Sequence, residues 1–259
     1  MTTDERIIRS HITGKTKEFL AAHPEWRGND KEEELVNDCL RRRNGGEPLA
    51  YILGFKEFYG HNFKVSPDVL IPRPETEGLV DIAISLNPKK ILDVGTGSGC
   101  IAISLALELP NRVIIGVDIS DKALEVAKNN ASALRAKVDL YKSNLLNDIK
   151  NKDRNCDLIV ANLPYVDEKW NWIDKNLKYE PKEALFAVDN GLGVIKRLVI
   201  EARDYFTRSK ITGNKHLLLE VDPCQRNEIV KFAKNYDFCE ERSDCNDRYA
   251  ILLSYFVND

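Results

Sequence analysis

The chain has 259 residues, 43% of them hydrophobic, which suits one large domain or a domain with a small appendage and excludes global disorder. Its formal net charge of −3 excludes the chain-wide basic footprint of a duplex nucleic-acid binder; the run Arg41-Arg42-Arg43 reads as the solvated end of a helix. No apolar run approaches the roughly 18 residues of a membrane span, the start MTTDERIIRS lacks a leader's apolar core, and the six cysteines form no C-x-x-C pair, so a reduced, cytoplasmic protein without metal or disulfide framework is expected.

In chain order, the first 45 or so residues read as helical. Asp4 can cap a helix carrying Ile8, Ile12, Phe19 and Leu20 at helical spacing. Asn29 and Asp30 open a second helix, with Glu33 three residues after Asp30 as a capping box. Its apolar stripe is Leu35, Val36, Cys39 and Leu40, and Asn44-Gly45-Gly46 stops it. Residues 50–71 change character: Tyr51, Ile52, Phe55, Phe58, Tyr59, Phe63 and Val65 are β-prone, and Gly54, Gly60 and Pro67 punctuate them. A hairpin or a pair of short strands is predicted there. Glu75 to Leu86 returns to helical spacing and ends at Asn87-Pro88.

From Lys90 strands and helices alternate. KKILDVG, RVIIGVD, KVDLYKS, CDLIVAN, HLLLEVD and a final RYAILLSYF read as strands. Ile101–Leu109, Lys122–Ala133, Val194–Phe206 and Gln225–Asn235 read as helices. Short apolar runs between amphipathic helices predict an α/β fold with a parallel sheet covered on both faces. The ligand then belongs at the carboxyl ends of the strands.

Asp93-Val94-Gly95-Thr96-Gly97-Ser98-Gly99 falls at a strand-to-helix turn. Its glycines let backbone pass close to a ligand. A dinucleotide loop would be G-x-G-x-x-G; here the sixth position is Cys100, and a glycine comes one residue early. D-x-G-x-G-x-G resembles the first motif of class I methyltransferases, which implies S-adenosyl-L-methionine as the cofactor. Asp118 closes the next strand, nineteen residues past Gly99, where a carboxylate can accept both ribose hydroxyls of an adenosine. In the resembled class Asp93 lies near the methionine amino end, with a loop-organising role as the alternative. Ser143-Asn144-Leu145 ends the third strand, where adenine should rest; many methyltransferases carry Asp where Asn144 stands. Thr96, Ser98 and Asn162 complete the expected cofactor surface.

Asn162-Leu163-Pro164-Tyr165 follows the apolar strand Leu158-Ile159-Val160-Ala161. It resembles the [DN]-P-P-[YFW] turn of methyltransferases that act on planar nitrogens. An amide nitrogen is a poor nucleophile, because its lone pair is spread into the carbonyl. Acceptors aimed at its N–H bonds stabilise the charge that develops on it during transfer. Asn162 Oδ1 and the Leu163 carbonyl are the natural pair, Pro164 stiffens the turn, and Tyr165 can stack on the flat amide. Leu163 replaces the family's usual proline, which keeps the carbonyl and loosens the turn.

Three further stretches narrow the resemblance: Gly46–Gly54 with Glu57-Phe58-Tyr59-Gly60, Leu70-Ile71-Pro72-Arg73-Pro74-Glu75-Thr76-Glu77, and Tyr179-Glu180-Pro181 followed by Leu219-Glu220-Val221 and Gln225. Together they resemble the HemK/PrmC family of release factor glutamine methyltransferases, over roughly residues 40–255. The resemblance implies an N-terminal helical recognition domain (1–48), a linking β-hairpin (49–74) and a Rossmann-like methyltransferase domain (75–259). It implies peptide chain release factors as the substrate, through the glutamine of their GGQ loop. It also implies that Pro72–Glu77 lines the active site, with Arg73 and Glu75 bridging its parts.

Two rival enzymes share parts of this pattern. The glutamine methyltransferase of a ribosomal protein carries the same turn, but its linker lacks Pro-Arg-Pro-Glu-Thr-Glu. An adenine-specific DNA methyltransferase needs a target-recognition region and a basic cleft, and neither is evident. A degenerate binding scaffold is a third reading, against which Gly95, Gly97, Gly99, Asp118, Asn162 and Tyr165 all stand intact. Trp170 and Trp172 lie in a polar connection after the turn, as a lid over the substrate or as packed aromatics.

Overall fold

Gly14 divides the first expected helix in two. In the computed structural model, which describes residues 1–153, 155–170, 175–241 and 249–255, α1 spans Thr3–Thr13 and α2 spans Lys17–Ala22. Gly14 ends α1 at φ +68° and donates its N–H to Ser10, a left-handed cap that favours a residue without a Cβ. The cap of α1 is Thr2, whose hydroxyl accepts from Glu5 N at 3.1 Å. Asp4 lies inside the first turn and holds Arg43 Nε at 2.6 Å.

Helix α3 spans Asp30–Asn44, and its capping box uses Glu32, not Glu33. Asn29 Oδ1 accepts from Glu32 N at 3.0 Å, and Glu32 Oε2 accepts from Asn29 N at 2.8 Å. Asn29 is the cap itself, so the reciprocal acid is the third residue of the helix. Glu33 is left to accept from Gly28 N at 2.8 Å and to clasp Arg9 with both oxygens, at 2.5 and 3.0 Å. Tyr51 and Ile52 lie in a short helix, α4 (Leu49–Leu53), rather than in a strand. Pro48 starts it at φ −57° and Gly54 stops it at φ +78°, so local punctuation overrides β propensity. The hairpin itself is β1 (Phe55–Phe58) and β2 (His61–Lys64). Its two loop residues, Tyr59 and Gly60, have φ of 49° and 73°, the left-handed pair of a tight hairpin turn.

The chain forms two compact units, Met1–Phe55 with Asp174–Tyr179, and Lys56–Ile173 with Glu180–Asp259. The larger begins, after the hairpin, with a 3-10 turn at Pro74–Thr76 and α5 (Glu77–Ser85). There follow β3 (Lys90–Val94), α6 (Cys100–Glu108), β4 (Val113–Asp118), α7 (Asp121–Leu134), β5 (Asp139–Lys142) and β6 (Leu158–Ala161). The rest is α8 (Lys182–Leu185), α9 (Gly193–Arg208), β7 (Lys215–Glu220), α10 (Arg226–Ala233), β8 (Phe238–Glu241) and β9 (Ala250–Tyr255). The sheet order is β5-β4-β3-β6-β7-β9-β8.

Five strands are parallel, as their apolar runs predict. The last two are not: β9 runs antiparallel to both β7 and β8. Strand β8 has no counterpart in the sequence reading. It is a short edge whose only buried residue is Phe238, so it lacks an apolar run. The central strands are buried almost throughout, and their side chains alternate between two cores. Leu92, Val117, Ile159 and Leu219 face one, with Ile195, Leu198 and Ile229 of α9 and α10. Ile91, Ile114, Val160 and Leu218 face the other, with Leu79, Ile82, Ile101 and Ile103 of α5 and α6. This is the two-period of a sheet covered on both sides. Among the described residues no helix is long and apolar enough to cross a membrane. Trp172, Cys245 and both ends of RYAILLSYF lie outside the described residues.

The Arg9–Glu33 pair makes α1 and α3 mutually dependent, since the Arg9 side chain is only 4% exposed. Glu33→Ala should destabilise this unit by about 1.5 kcal/mol, the worth of hydrogen bonds to a charged group, because Glu5 Oε1 still accepts from Arg9 Nε at 3.0 Å; faster amide exchange in both helices reads it. The hydrogen bond from Arg9 holds the Glu33 carboxyl below its ordinary 4.5. The stabilisation should therefore be complete above that value and be lost as pH falls through the lower folded one. Acid titration of amide exchange in the wild type and in Glu33→Gln checks the sign.

Candidate active site at the carboxyl ends of the sheet

Strand β3 pairs in parallel with β4 on one side and β6 on the other, with Val94 opposite Val117 and Asp93 opposite Val160. The chain therefore reverses its direction of sheet growth between β3 and β6, which opens a crevice at their carboxyl ends. Gly95–Gly99, Asp118 and Asn162 all emerge there. A cavity of about 310 Å³ occupies this place. Gly95, Thr96, Gly97, Ser98, Asp118, Asn144, Leu145, Asn162, Leu163 and Pro164 line it, as do Thr76, Glu183 and Arg197. Of the expected site residues, Asp93, Gly99 and Tyr165 do not.

The three glycines have φ of +76°, +56° and +82°, and each is needed for a different reason. A Cβ at Gly95 would stand 2.7 Å from Leu163 Cδ2, so this glycine lets the loop meet the turn after β6. A Cβ at Gly99 would stand 2.8 Å from Ile103 Cδ1 and 3.2 Å from Ala127 Cβ; its absence lets α6 lie close to α7. A Cβ at Gly97 would meet nothing nearer than 4.0 Å, so that face of its backbone is open in the cavity wall.

Asp93 is fully buried beneath the loop. Its Oδ2 accepts from Thr96 Oγ1 at 2.6 Å and from Ala102 N at 3.2 Å, while Oδ1 has no hydrogen-bond partner among the described residues. Burial raises its pKa to about 7, with the Asp118 charge adding to the rise and the two hydrogen bonds opposing it. Asp118 Oδ2 accepts from Gly97 N and Oδ1 from Ser120 N, each at 2.9 Å. Each oxygen keeps acceptor capacity for a further donor. Burial raises the Asp118 pKa, against those backbone bonds.

The Ser143–Leu146 edge of the crevice is tied down in part by Arg197 and Glu201, which sequence reasoning missed. Leu145 adopts φ +51°, and Ser143 Oγ donates to its carbonyl at 2.7 Å. Arg197, on α9, donates to Asn144 Oδ1 and pairs with Glu201 at 2.9 Å, which also accepts from Leu146 N at 2.9 Å. Arg197 is one charged residue on an amphipathic helix, and nothing local marks it.

At the end of β6, Asn162 Nδ2 donates to Thr76 Oγ1 at 3.0 Å. Leu163 is buried against the glycine loop. The Tyr165 hydroxyl donates to Glu220 Oε1 at 3.1 Å, and burial raises its pKa, helped by that carboxylate. From behind, Gln225 Nε2 bonds the Tyr165 carbonyl at 2.8 Å and the Asn190 carbonyl at 2.9 Å. A Cβ at Gly191 would fall 2.0 Å from the Tyr165 oxygen, so only glycine lets that loop close on the turn.

The Pro72–Glu77 segment reaches the cavity through Pro72, Arg73 and Thr76. Glu180 anchors it: the carboxylate takes Arg73 Nη2 at 2.5 Å and Ile71 N at 2.9 Å. Glu75 is exposed and makes no bridging bond among the described residues. Glu77 bridges in its place, accepting from Tyr59 N at 2.8 Å.

Sheet order, glycine loop and the acid closing β4 define the class: the fold is that of a class I S-adenosylmethionine-dependent methyltransferase. Residues 76–185 match the methyltransferase small domain and residues 2–54 the PrmC N-terminal domain. A release factor glutamine methyltransferase of Aliivibrio fischeri is 38% identical over 99% of this chain and 90% of its own length. One of Coxiella burnetii is 39% identical over 93% and 87%, and one of Koribacter versatilis is 44% identical over 70% and 66%. In fold, the chain is similar to the T. thermophilus 16S rRNA N2 G1207 methyltransferase, at a TM-score of 0.54 and 14% identity over 79% of this chain and 50% of that one. The chain belongs to the release factor glutamine methyltransferase family.

Two outcomes follow from the acids. Asp93 protonates more readily folded than unfolded, so its contribution to stability is present below 3.8 and is lost as pH rises through about 7. Asp93→Asn, whose amide stays neutral, should flatten that decline; denaturant unfolding across pH 4–8, without cofactor, checks it. Asp118→Ala should weaken S-adenosylmethionine binding by about 1.5–3 kcal/mol, the worth of charge-assisted hydrogen bonds, as read by calorimetry.

Proposed function

We propose that this protein methylates the side-chain amide nitrogen of a glutamine in a peptide chain release factor, at the GGQ loop, in the cytoplasm. The observation that carries the reading is that Asn162 lines the same cavity as Gly95–Ser98 and Asp118. Acceptor and cofactor cradle thus face one space. The relatives' names favour release factors over ribosomal proteins or DNA as substrate.

The residues present fit S-adenosylmethionine. The backbone of Gly95–Ser98 would border its methionine end, with the free Asp93 Oδ1 beneath that loop. Asp118 would take the ribose hydroxyls, and Asn144 and Leu145 would border the adenine. Bound there, the cofactor supplies an electrophilic methyl group on a sulfonium. Asn162 Oδ1 and the Leu163 carbonyl each accept one N–H of the substrate amide. They hold the nitrogen in line and stabilise the positive charge that grows on it. Tyr165, which does not line the cavity, supports the turn through its hydroxyl bond to Glu220. Residues 1–48 serve substrate recognition, 49–74 link, and 75–259 carry the chemistry.

Asn162→Ala should slow single-turnover methylation of a purified release factor by about 10²–10³-fold, the range for losing one preorganised transition-state hydrogen bond. Cofactor affinity should fall much less, melting temperature should barely change, and Asn162→Asp should keep partial activity. An Asn162→Ala enzyme with wild-type rate would move the chemistry elsewhere.

A further inference from the structure

Asn162 has a two-ended amide, and only one end is useful to an amide substrate. The nitrogen end would point N–H at N–H; the oxygen end accepts. In the structure a neighbour engages the nitrogen end. Nδ2 donates to Thr76 Oγ1 at 3.0 Å, which leaves Oδ1 as the remaining polar end of a side chain that lines the cavity. Thr76 is 1% exposed, so water competes poorly for that bond.

We propose that Thr76 is the positioning residue that orients the Asn162 amide with its oxygen toward the substrate, a role that rests on the functional reading above.

The surrounding structure fits this part. Thr76 closes a 3-10 turn whose N–H bonds Arg73 O at 3.1 Å. Arg73 is held by the buried Glu180 carboxylate, which also fixes Ile71 N. The turn is therefore tied down at its start and delivers one hydroxyl at its end. Pro74 sets the backbone of the first turn position. The segment from Ile71 to Thr76 thus acts as a rigid arm, and Thr76 is its contact with the catalytic turn. A hydroxyl suits this task because it can accept from an amide or donate to a carboxylate. It would serve Asp at position 162 as well as Asn, and in both cases an acceptor oxygen remains for the substrate.

The test is a double-mutant cycle in the full-length enzyme, with a purified release factor and labelled S-adenosylmethionine in single turnover. Thr76→Val keeps the shape and removes the acceptor. It should slow transfer about tenfold, the worth of one hydrogen bond near 1.4 kcal/mol, with KM for the release factor and cofactor affinity unchanged. Thr76→Ser should stay within about threefold of wild type. Thr76→Ala, which introduces no branched side chain, should behave as the valine variant and carries the test if the latter does not fold. In an Asn162→Ala background, Thr76→Val should cause no further slowing. Thr76→Val at wild-type rate, the same slowing in both backgrounds, or a serine variant as slow as valine would each overturn the proposal. Asn162→Ala at wild-type rate would instead remove the functional reading on which it stands, so the two failures are distinguishable.

Discussion

The parallel pairing of β3 between β4 and β6 is the constraint on which the site depends. With Asp93 opposite Gly116 on one side and Val160 on the other, the glycine loop, Asp118 and Asn162 leave the sheet at one level. A slip of one residue in either ladder would turn every alternate side chain to the other face and carry one of the three groups out of the crevice. The register is held by burial: each strand sends alternate residues into two separate cores, so a slipped strand would exchange its partners on both. Stability and chemistry are thus specified by the same alternation. Gly95 adds the last approach, since a side chain there would strike Leu163.

Glu180 performs the second organising task, across more than a hundred residues of chain. Its pair with Arg73 joins a side chain 3% exposed to one 31% exposed. A pair of that kind is weak evidence for net stability, because desolvation offsets much of the attraction. Its consequence is geometric. It fixes the Ile71–Arg73 backbone beside the crevice, so that the following turn has one place to go. Behind the turn after β6, Gln225 and Gly191 likewise confine the Tyr165 carbonyl. The turn after β6 is therefore held from both sides.

Much of the larger unit was legible because its physics is local. Apolar runs such as Ile114-Ile115 and Leu158–Ala161 are strands that only a doubly covered sheet can bury, and glycine after β3 leaves few readings. Edges and reversals were less legible. Strand β8 buries one side chain, and nothing in RYAILLSYF says that it will pair antiparallel. Near the N-terminus, Glu32 and Glu33 are chemically alike, and only the helix start at Asn29 decides which one caps. The site followed the same divide. Residues on the strand ends could be read from spacing. Thr76 was brought to the site only by the resemblance of its motif, and its contact with Asn162, 86 positions away, was not legible; Arg197 depends on a partner 53 positions away, and no local pattern carries such information.

The most direct test of the account is a competition experiment. The enzyme is given labelled S-adenosylmethionine with purified release factor, ribosomal proteins and duplex DNA in one mixture, and the label is mapped by mass spectrometry. The account predicts label on a single glutamine side chain of the release factor and none on the other components. Label on adenine, or on a ribosomal protein with the release factor unmodified, would contradict it.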